Sequence, residues 1–327
     1  MHVLVIGAAG MVGRKLLAAM LRDGRIGDKA ITQFTLADVI EPSTPDTDLP
    51  VLTIAADLSE AGVAAALVKT RPDVIFHLAA IVSGEAEADF EKGYRINMDG
   101  TRHLLEAIRL ASQSSQYKPR LVFTSSIAVF GEPLPETIGD SHHHTPLTSY
   151  GTQKAICELL LADYSRRGFV DGVGIRLPTI VVRPGKPNKA ASGFFSGIIR
   201  EPLAGMEASL PVDETVRHWF ASPRAAVGFL LHAASMDTAA LGNQRNLTMP
   251  GLAATVGEEI AALERVAGAQ AVALIRRLPD QTIIDIVAGW PKAFDASRAR
   301  DLGFRGDASF DDIIRIHIED ELNGKLG

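Results

Sequence analysis

Runs of apolar residues alternate with amphipathic stretches along the first half of the chain. Residues 3–6 form a continuous aliphatic run that ends at Gly7, and residues 11–21 place apolar side chains three and four positions apart. A short, uniformly apolar run is typical of a strand buried on both faces, and the second spacing is typical of a helix with one buried face. The pattern therefore predicts a strand, a tight turn and a helix at the start of the chain.

The same alternation continues through most of the sequence. It predicts further strands at residues 34–38, 51–56, 74–80, 120–126 and 173–181. It predicts further helices at residues 61–68, 87–111, 149–167 and 223–236, and a short strand at 246–249 placed to rejoin the main sheet. Buried strands separated by helices give a parallel sheet that is covered on both faces. The predicted fold class is therefore α/β, with a doubly wound parallel sheet of the Rossmann type.

Composition narrows the classes of partner. The formal net charge is -6 and no block of lysine and arginine interrupts it, which argues against a nucleic-acid partner. Cys157 is the only cysteine, so an intrachain disulfide and a four-cysteine zinc site are both excluded, and a reducing cytoplasm fits. No uninterrupted apolar stretch of about 18 residues occurs. We therefore expect a soluble cytoplasmic protein that binds neither nucleic acid nor membrane.

The first predicted strand and helix are joined by a glycine-rich turn, Gly7-Ala8-Ala9-Gly10-Met11-Val12-Gly13. Glycines let the backbone turn tightly and approach a pyrophosphate, whose charge is favoured by the free N–H groups at the start of a helix. An ordinary strand-to-helix turn is the alternative, but the position of the motif between the first strand and the first helix favours dinucleotide binding. The predicted cofactor contacts here are Gly7, Gly10, Met11, Val12 and Gly13.

Polar and small residues follow the next predicted strands. Asp38 ends the second strand, at the distance from the glycine turn where an acidic residue binds the adenosine ribose hydroxyls, and no arginine follows at Val39 or Ile40. A carboxylate there repels a 2′-phosphate, so NAD is predicted in preference to NADP; the alternative is a surface aspartate at a strand end. Further cofactor contacts are predicted at strand ends, where packing is the alternative role: Asp57, Leu58, Leu78, Ala79 and Ala80.

Regular alternation of strands and helices stops after Pro178, where prolines and glycines become frequent. A chain of 327 residues also exceeds the size at which a single hydrophobic core usually stops growing. We therefore predict a dinucleotide-binding domain at residues 1–177 plus about 213–249, and a smaller C-terminal substrate lobe at about 178–212 and 250–327.

Tyr150 and Lys154 stand four residues apart in a predicted helix and therefore on one face of it. A nearby ammonium group favours the phenolate, so we expect Lys154 to lower the pKa of Tyr150 and make it a base for a substrate hydroxyl. Ser126 ends a predicted strand at Thr124-Ser125-Ser126, where its hydroxyl can hold the reacting oxygen. A solvated helix face is the alternative, but the three residues together with the glycine turn favour a catalytic set of Ser126, Tyr150 and Lys154.

In this order the motifs resemble an extended short-chain dehydrogenase/reductase of the NAD-dependent epimerase/dehydratase type. The resemblance covers nearly the whole length, through the glycine turn, Asp57-Leu58, His77-Leu-Ala-Ala80, Asn97 in Asn-Met-Asp-Gly-Thr101, Thr124-Ser-Ser126, Tyr150 with Lys154, Arg183-Pro184-Gly185 and the segment from Phe294 to Phe304. Ile6 and Met11 depart from the family pattern, which often has threonine and an aromatic residue at these positions. Neither departure removes a group that the chemistry needs.

The resemblance implies several residue roles. It implies that Ser126 works with the tyrosine and lysine, that Lys154 also binds the nicotinamide ribose, and that Pro178 and Thr179 contact the cofactor. Asn97 and Thr124 are predicted cofactor contacts as well, beside Tyr150 and Lys154 themselves. The family commonly pairs through helices beside the active site, so a homodimer is expected.

Within the family, the pattern is most similar to dehydrogenases that oxidise the C2 hydroxyl of a small sugar acid to a 2-oxo acid. The predicted substrate contacts are Ser83, Ser126, Tyr150, Arg183 and Arg217. The two arginines are candidates because a guanidinium group matches a carboxylate, and a structural ion pair is the alternative for each. No metal is expected, since the consecutive His142, His143 and His144 lack the spacing of a metal site.

Two other functions remain open on the sequence. A nucleotide-sugar epimerase or dehydratase uses the same cofactor transiently and returns the hydride, so it accumulates no NADH. A non-catalytic regulator would bind NAD but has no need of a serine, a tyrosine and a lysine together.

Overall fold

The structure is a computed structural model, and it describes residues 1–113, 116–185 and 191–325. In chain order the strands are β1 (His2–Ile6), β2 (Arg25–Ile26), β3 (Lys29–Ala30), β4 (Gln33–Asp38), β5 (Val51–Ala55), β6 (Val74–His77), β7 (Arg120–Ser126), β8 (Ile138–Gly139), β9 (Asp171–Leu177), β10 (Thr179–Ile180), β11 (Ala208–Leu210), β12 (Arg217–Ala221), β13 (Asn246–Thr248), β14 (Leu252–Thr255), β15 (Ile275–Arg277) and β16 (Phe294–Asp295).

The α-helices are α1 (Met11–Asp23), α2 (Val63–Lys69), α3 (Ser83–Ala88), α4 (Phe90–Gly93), α5 (Gly100–Gln113), α6 (Ser149–Arg166), α7 (Gly193–Leu203), α8 (Pro223–Ser235), α9 (Val256–Ala267), α10 (Ala269–Val272), α11 (Gln281–Ala288), α12 (Ser297–Asp301) and α13 (Phe310–Glu321). A π-helix spans Tyr94–Asp99, and 3-10 turns span Ile127–Val129 and Ala239–Leu241. Among the described helices, none is long and apolar enough to cross a membrane.

The central sheet has seven strands in the order β13-β9-β7-β6-β1-β4-β5. The pairs β1–β4, β1–β6, β4–β5 and β6–β7 are parallel. From β1 the chain adds strands on one side as far as β5 and then crosses back to β6 on the other side of β1. This reversal is the topological switch point where open α/β sheets bind ligands, at the carboxyl ends of the strands. The predicted doubly wound α/β fold is confirmed, and β13 rejoins this sheet as expected.

Three element boundaries differ from the pattern-based prediction. Strand β6 ends at His77 rather than at residue 80, because the N–H groups of both Leu78 and Ala79 donate to the Ile6 carbonyl and the chain leaves the ladder. The helix predicted over 87–111 is broken at Asp89, whose carboxylate accepts from the Lys92 N–H and starts α4. Both interruptions use hydrogen bonds that hydrophobic spacing does not encode.

The third difference is at Pro178, which divides the strand predicted over 173–181. Proline has no N–H group to donate to a ladder, so β9 ends at Leu177. The following β10 pairs with β12 in a separate three-stranded sheet, β10-β12-β14.

The chain forms two compact units. The first comprises Met1–Val129, Thr148–Arg176 and Val227–Leu247, and the second comprises Phe130–Leu147, Leu177–Ala226 and Thr248–Gly327. In the first unit, apolar residues of β1, β6 and β7 pack against α2, α5 and α6. In the second unit, a separate core is built from α7, α9 and α13 with β12. The predicted roles of the two domains in binding cofactor and substrate stay predictions.

Candidate active site

The glycine turn brings helix α1 into close contact with the end of β1. Gly7 has a φ of +94°, in the region that favours glycine, and its N–H donates to the Ala37 carbonyl at 2.8 Å. A Cβ atom at Gly13 would lie 2.2 Å from the Gly7 carbonyl oxygen, so only glycine allows this approach. Helix α1 begins at Met11 with no side-chain cap and no acidic residue in its first turn. Its N-terminus therefore suits a phosphate group.

Asp38 lies at the end of β4, directly beside this turn. One carboxylate oxygen accepts from the Ala9 N–H at 2.9 Å, and the other accepts from the Val39 N–H at 2.7 Å. Val39 and Ile40 follow as exposed apolar side chains, 62% and 73% accessible. These contacts fix the orientation of the carboxylate while the side chain stays partly exposed. The negative charge therefore lies beside the loop that would hold the pyrophosphate.

Asp57 is held by its neighbours after β5. Its carboxylate accepts from the Ser59 N–H at 2.9 Å and the Ser59 hydroxyl at 2.6 Å, and it pairs with Arg95 at 3.3 Å. Partial burial opposes ionisation, but the hydrogen bonds from Ser59 and the charge of Arg95 outweigh it and hold the pKa of Asp57 below its usual value. Leu58 beside it is buried.

Ser126, Tyr150 and Lys154 are brought together in the first unit. Ser126 is the last residue of β7, and its hydroxyl hydrogen-bonds to the phenol of Tyr150 near the start of α6. The Lys154 ammonium lies 5.7 Å from the centroid of the Tyr150 ring and donates to the Thr124 carbonyl at 2.8 Å. Lys154 is 2% exposed and Tyr150 is partly buried. The side chains predicted from the sequence therefore form one cluster.

The proton affinities differ from the expectation for this pair. Burial raises the pKa of Tyr150 to about 12, and the hydrogen bond from Ser126 opposes this rise. Burial lowers the pKa of Lys154 to about 8, although Cys157 and Glu158 act in the opposite direction. The expectation that Lys154 lowers the pKa of Tyr150 does not hold in this structure, because both groups lose solvation and that loss disfavours both charges.

Helix α6 is also tied to the π-helix by Asn97. The Asn97 oxygen accepts from the Ile81 N–H at 2.9 Å, and its amide nitrogen donates to the Ile81 carbonyl and, at 2.8 Å, to the Gln153 side chain. Asn97 and Gln153 are both buried. The amide of Asn97 thus links the loop after β6 to the residue that precedes Lys154. A single-turn π-helix at this position is a local irregularity of the kind that often accompanies functional sites.

His77 lies beneath the cluster at the end of β6. It is 1% exposed, its Nε2 contacts the Thr101 hydroxyl at 2.9 Å, and its carbonyl accepts from the Thr124 hydroxyl at 3.0 Å. Burial and the nearby Lys154 charge lower the pKa of His77 to about 3. It is therefore a neutral histidine that joins β6, β7 and α5.

Sequence reasoning missed a buried ion pair under the cluster. Glu158, on α6, is fully buried and accepts hydrogen bonds from the Nε and Nη2 atoms of Arg176 and from the Ser125 hydroxyl, the last at 2.6 Å. Two signals could have found it. Arg176 is a charged residue between Ile175 and Leu177 in a predicted strand, and Glu158 stands four residues after Lys154.

Some predicted site residues belong to the second unit. The Thr179 hydroxyl contacts the Nε2 atom of the buried His218 at 2.7 Å, and burial lowers the pKa of His218 to about 4. Arg183 donates to the Ser192 hydroxyl at 3.3 Å, and no ion pair joins it to a carboxylate within the described part of the chain. Arg217 donates to the Ala253 carbonyl and pairs with Glu258 at 3.6 Å.

The remaining predicted residues lie at or next to the ends of strands and helices. Pro178 separates β9 from β10, Ser83 begins α3, and Ala79 and Ala80 follow β6. The rings of His142 and His143 contact each other in a tilted arrangement, with their centroids 4.8 Å apart. In residues 1–113, 116–185 and 191–325, no group of three or more His, Cys, Asp or Glu side chains is arranged to hold a metal ion.

Residues 3–241 match the model of the NAD dependent epimerase/dehydratase family. The chain is 47% identical over 324 residues to D-erythronate dehydrogenase of Cupriavidus necator, covering 98% of each chain. It is 42% identical over 322 residues to D-erythronate dehydrogenase of Haemophilus influenzae, covering 98% of this chain and all of that one.

Solved structures show the same fold. The structure described as the nucleoside-diphosphate-sugar epimerase from Agrobacterium tumefaciens is 64% identical, with a TM-score of 0.98, and the match covers 100% of this chain and 96% of that one. GalE-like L-threonine dehydrogenase from Cupriavidus necator is 23% identical with a TM-score of 0.82, covering 98% and 99% of the two chains, and shows the fold alone. The glycine turn and the uncapped N-terminus of α1 fit NAD, the cofactor that the family description names. The chain belongs to the NAD-dependent epimerase/dehydratase family and is an NAD-dependent oxidoreductase.

Proposed function

We propose that this protein oxidises the C2 hydroxyl of a small sugar acid similar to D-erythronate, giving the 2-oxo acid, with NAD as the oxidant and Tyr150 as the proton acceptor. The observation that carries the proposal is the cluster of Ser126, Tyr150 and Lys154 at the carboxyl end of the central sheet. The two full-length relatives named D-erythronate dehydrogenase support the substrate class.

In the proposed reaction, the substrate C2–H bond breaks with its electron pair, the O–H proton leaves, and the C–O bond becomes a carbonyl. NAD supplies the hydride acceptor when it is bound. The Ser126 hydroxyl holds the C2 oxygen, since it lies beside the Tyr150 phenol. The Tyr150 phenolate takes the hydroxyl proton, and the buried Lys154 ammonium, held by the Thr124 carbonyl, stabilises negative charge at that position.

The proton-accepting form of Tyr150 is scarce near neutral pH, because burial raises the pKa of the phenol. Deprotonation of the phenol is therefore expected to limit the rate of oxidation at low pH. The proposal thus entails a kcat/KM for sugar-acid oxidation that increases with pH up to about 8 and then levels off, because the Lys154 ammonium, whose pKa is about 8, loses its proton above that pH. A steady fall in kcat/KM as the pH increases toward 8 would argue against Tyr150 as the base.

We assign the glycine turn, Asp38 and the strand-end residues to NAD, as the sequence predicts. Asn97 is also a predicted NAD contact, but its side-chain amide is hydrogen-bonded to Ile81 and Gln153. We therefore expect Asn97 to affect NAD binding indirectly, by fixing the position of the backbone at Ile81. Thr179 and Pro178 stay predicted cofactor contacts, and Ser83 stays a predicted substrate contact.

The substrate carboxylate needs a cationic partner, and Arg183 suits that role better than Arg217. Arg217 already pairs with Glu258 and is exposed, whereas Arg183 is half-buried beside Ser192 and Arg200 without a carboxylate partner in the described residues. Burial and the Arg200 charge lower the pKa of Arg183, because both disfavour its positive charge. A bound carboxylate would stabilise that charge. Arg183→Gln is therefore expected to raise KM for the sugar acid more than it lowers kcat.

A nucleotide-sugar epimerase is the second candidate, because the 64% identical structure carries that description. The two functions differ in cofactor balance, since a dehydrogenase accumulates NADH and an epimerase returns the hydride to its product. The deciding experiment incubates the protein and NAD with D-erythronate, with other four- to six-carbon aldonates, and separately with UDP-glucose. Absorbance of NADH at 340 nm with an aldonate, together with the 2-oxo acid as product, supports the proposal. Isomerised UDP-sugar without net NADH would refute it.

A further inference from the structure

Glu158 and Arg176 form a salt bridge that is almost completely buried. Their side chains are 0% and 5% exposed, and the closest oxygen and nitrogen atoms are 2.8 Å apart. The second Glu158 oxygen accepts from the Arg176 Nε at 2.9 Å and from the Ser125 hydroxyl at 2.6 Å. A buried ion pair of this kind costs desolvation and contributes little net stability by itself. Net stabilisation therefore does not explain why this salt bridge is buried at this position.

The pair is directly connected to the candidate catalytic residues. Glu158 stands one helical turn after Lys154 on α6, on the same face of the helix. Ser125, which donates to Glu158, immediately precedes Ser126 at the end of β7. Arg176 comes from β9, the neighbour of β7 in the central sheet. The carboxylate thus joins the catalytic helix to the strand that carries Ser126.

Few other charges surround Lys154. The titratable groups that face it are Tyr150, Cys157 and Glu158 on α6 and His77 on β6, with Asp99 of the π-helix acting on Cys157 and Arg176 on β9 reached through Glu158. His77 and Cys157 are neutral near pH 7, because burial lowers the pKa of the first and raises that of the second. Glu158 is therefore the nearest buried negative charge on the helix of the proposed catalytic pair.

We propose that Glu158 and Arg176 are positioning residues that set the electrostatic potential at Tyr150 and Lys154 and hold Ser126 against them. This inference rests on the proposed roles of Tyr150 and Lys154. A negative charge raises the pKa of every nearby acid, and a positive charge lowers it. The two partners of the salt bridge therefore act in opposite directions on the candidate base.

The test compares Glu158→Gln with Arg176→Gln. Removal of the carboxylate is expected to lower the pKa of Tyr150 by about half a unit or more, and removal of the more distant guanidinium is expected to raise it by a smaller amount. The pKa is read without substrate from tyrosinate absorbance near 295 nm, as the difference between each variant and the same variant carrying Tyr150→Phe. A purely structural role predicts shifts of the same sign or none, and either result would overturn the proposal.

Two further variants separate charge from folding. Arg176→Lys keeps the charge and should leave the pKa within about 0.2 units of the wild type. The double variant Glu158→Gln/Arg176→Gln leaves no buried charge unpaired, and because Glu158 is nearer to Lys154 it should still lower the pKa of Tyr150. If the single variants do not fold, the double variant decides, and an unchanged pKa there also overturns the proposal.

Turnover gives an independent reading. With an aldonate that the wild type oxidises, the acidic limb of log kcat/KM against pH should shift toward lower pH in Glu158→Gln and toward higher pH in Arg176→Gln. If the wild type oxidises no aldonate, the proposed function fails, whereas the tyrosinate titration still tests the Glu158–Arg176 inference. The two failures are therefore distinguishable.

Discussion

Tyr150 and Lys154 lie side by side, the first partly buried and the second 2% exposed. Burial raises the pKa of the phenol to about 12 and lowers the pKa of the ammonium to about 8, so the neutral forms of both are favoured. The Ser126 hydroxyl and the Thr124 carbonyl are the polar groups that offset part of this cost. At the scale of single residues, proton affinity is therefore decided by solvation and by hydrogen bonds from a neighbouring strand.

Removal of the Tyr150 hydroxyl tests the proposed base. Tyr150→Phe is expected to lower kcat for sugar-acid oxidation by about 10²–10⁴-fold, because the substrate proton loses its acceptor. The dissociation constant for NAD, measured by titration calorimetry, should change little. The matched control is Tyr164→Phe on the same helix, whose hydroxyl contacts Glu106 rather than Ser126. Equal losses in both variants would contradict the assignment.

Glu259 shows the same effect of burial in the second unit. It is fully buried on α9, and neither carboxylate oxygen has a hydrogen-bond partner among the described residues, so its pKa lies well above the usual value. The unfolded chain ionises first as pH increases above about 4.5, so this residue reduces stability progressively as the pH increases toward the folded-state pKa.

Replacement of this residue is accordingly expected to stabilise the protein. Glu259→Met should raise the free energy of unfolding by about 1–3 kcal/mol at pH 7, and the gain should shrink as the pH is lowered toward 4.5. Urea denaturation at several pH values measures it. Glu264→Met, an exposed position on the same helix, is the control and should change stability little. A gain independent of pH would mean that ionisation of Glu259 is not the cause.

At the scale of elements, hydrophobic spacing predicts the strands well where they are fully buried. The prediction of β7 matches the observed Arg120–Ser126, and the first strand and helix lie where the pattern places them. The points at which a strand or a helix is interrupted are harder to predict from this spacing. The turn after His77 and the start of α4 at Asp89 depend on one or two hydrogen bonds each, and these bonds leave the apolar pattern unchanged.

The glycine turn offers a test at this scale. Gly13→Ala places a methyl group 2.2 Å from the Gly7 carbonyl oxygen, so α1 must move away from β1 and the turn must widen. We expect NAD affinity to fall by at least about tenfold, measured by fluorescence titration. Gly228→Ala on α8 meets no atom within 4 Å and is the matched control. NAD binding that is unchanged in Gly13→Ala would exclude this turn as the pyrophosphate site.

At the scale of the whole molecule, two compact units have separate cores, and the candidate catalytic cluster lies entirely in the first. A cofactor that binds only the folded chain stabilises it by mass action. The expected homodimer and the cytoplasmic location stay predictions, and sedimentation velocity would test the first.

Cofactor choice should be visible in thermal unfolding. NAD at about 100 times its dissociation constant should stabilise the protein by about 2.7 kcal/mol, and NADP at the same concentration should stabilise it less, because Asp38 repels a 2′-phosphate. Asp38→Asn keeps an acceptor for the Ala9 N–H but removes the negative charge. It should therefore reduce the difference between the stabilisation by NAD and the stabilisation by NADP. Equal shifts of Tm with NAD and NADP in the wild type would disprove the role of Asp38.

The glycine turn and the Tyr150–Lys154 pair could be predicted from the sequence because each depends on spacing within a few residues, and the fold class could be predicted from the alternation of strands and helices. Contacts between residues far apart in the chain could be found only in the folded structure. Arg176 meets Glu158 across 18 positions, and Asn97 meets Gln153 across 56. The pKa values of Tyr150 and Lys154 belong to this second class, because solvation is a property of everything packed around a side chain rather than of its neighbours in the sequence.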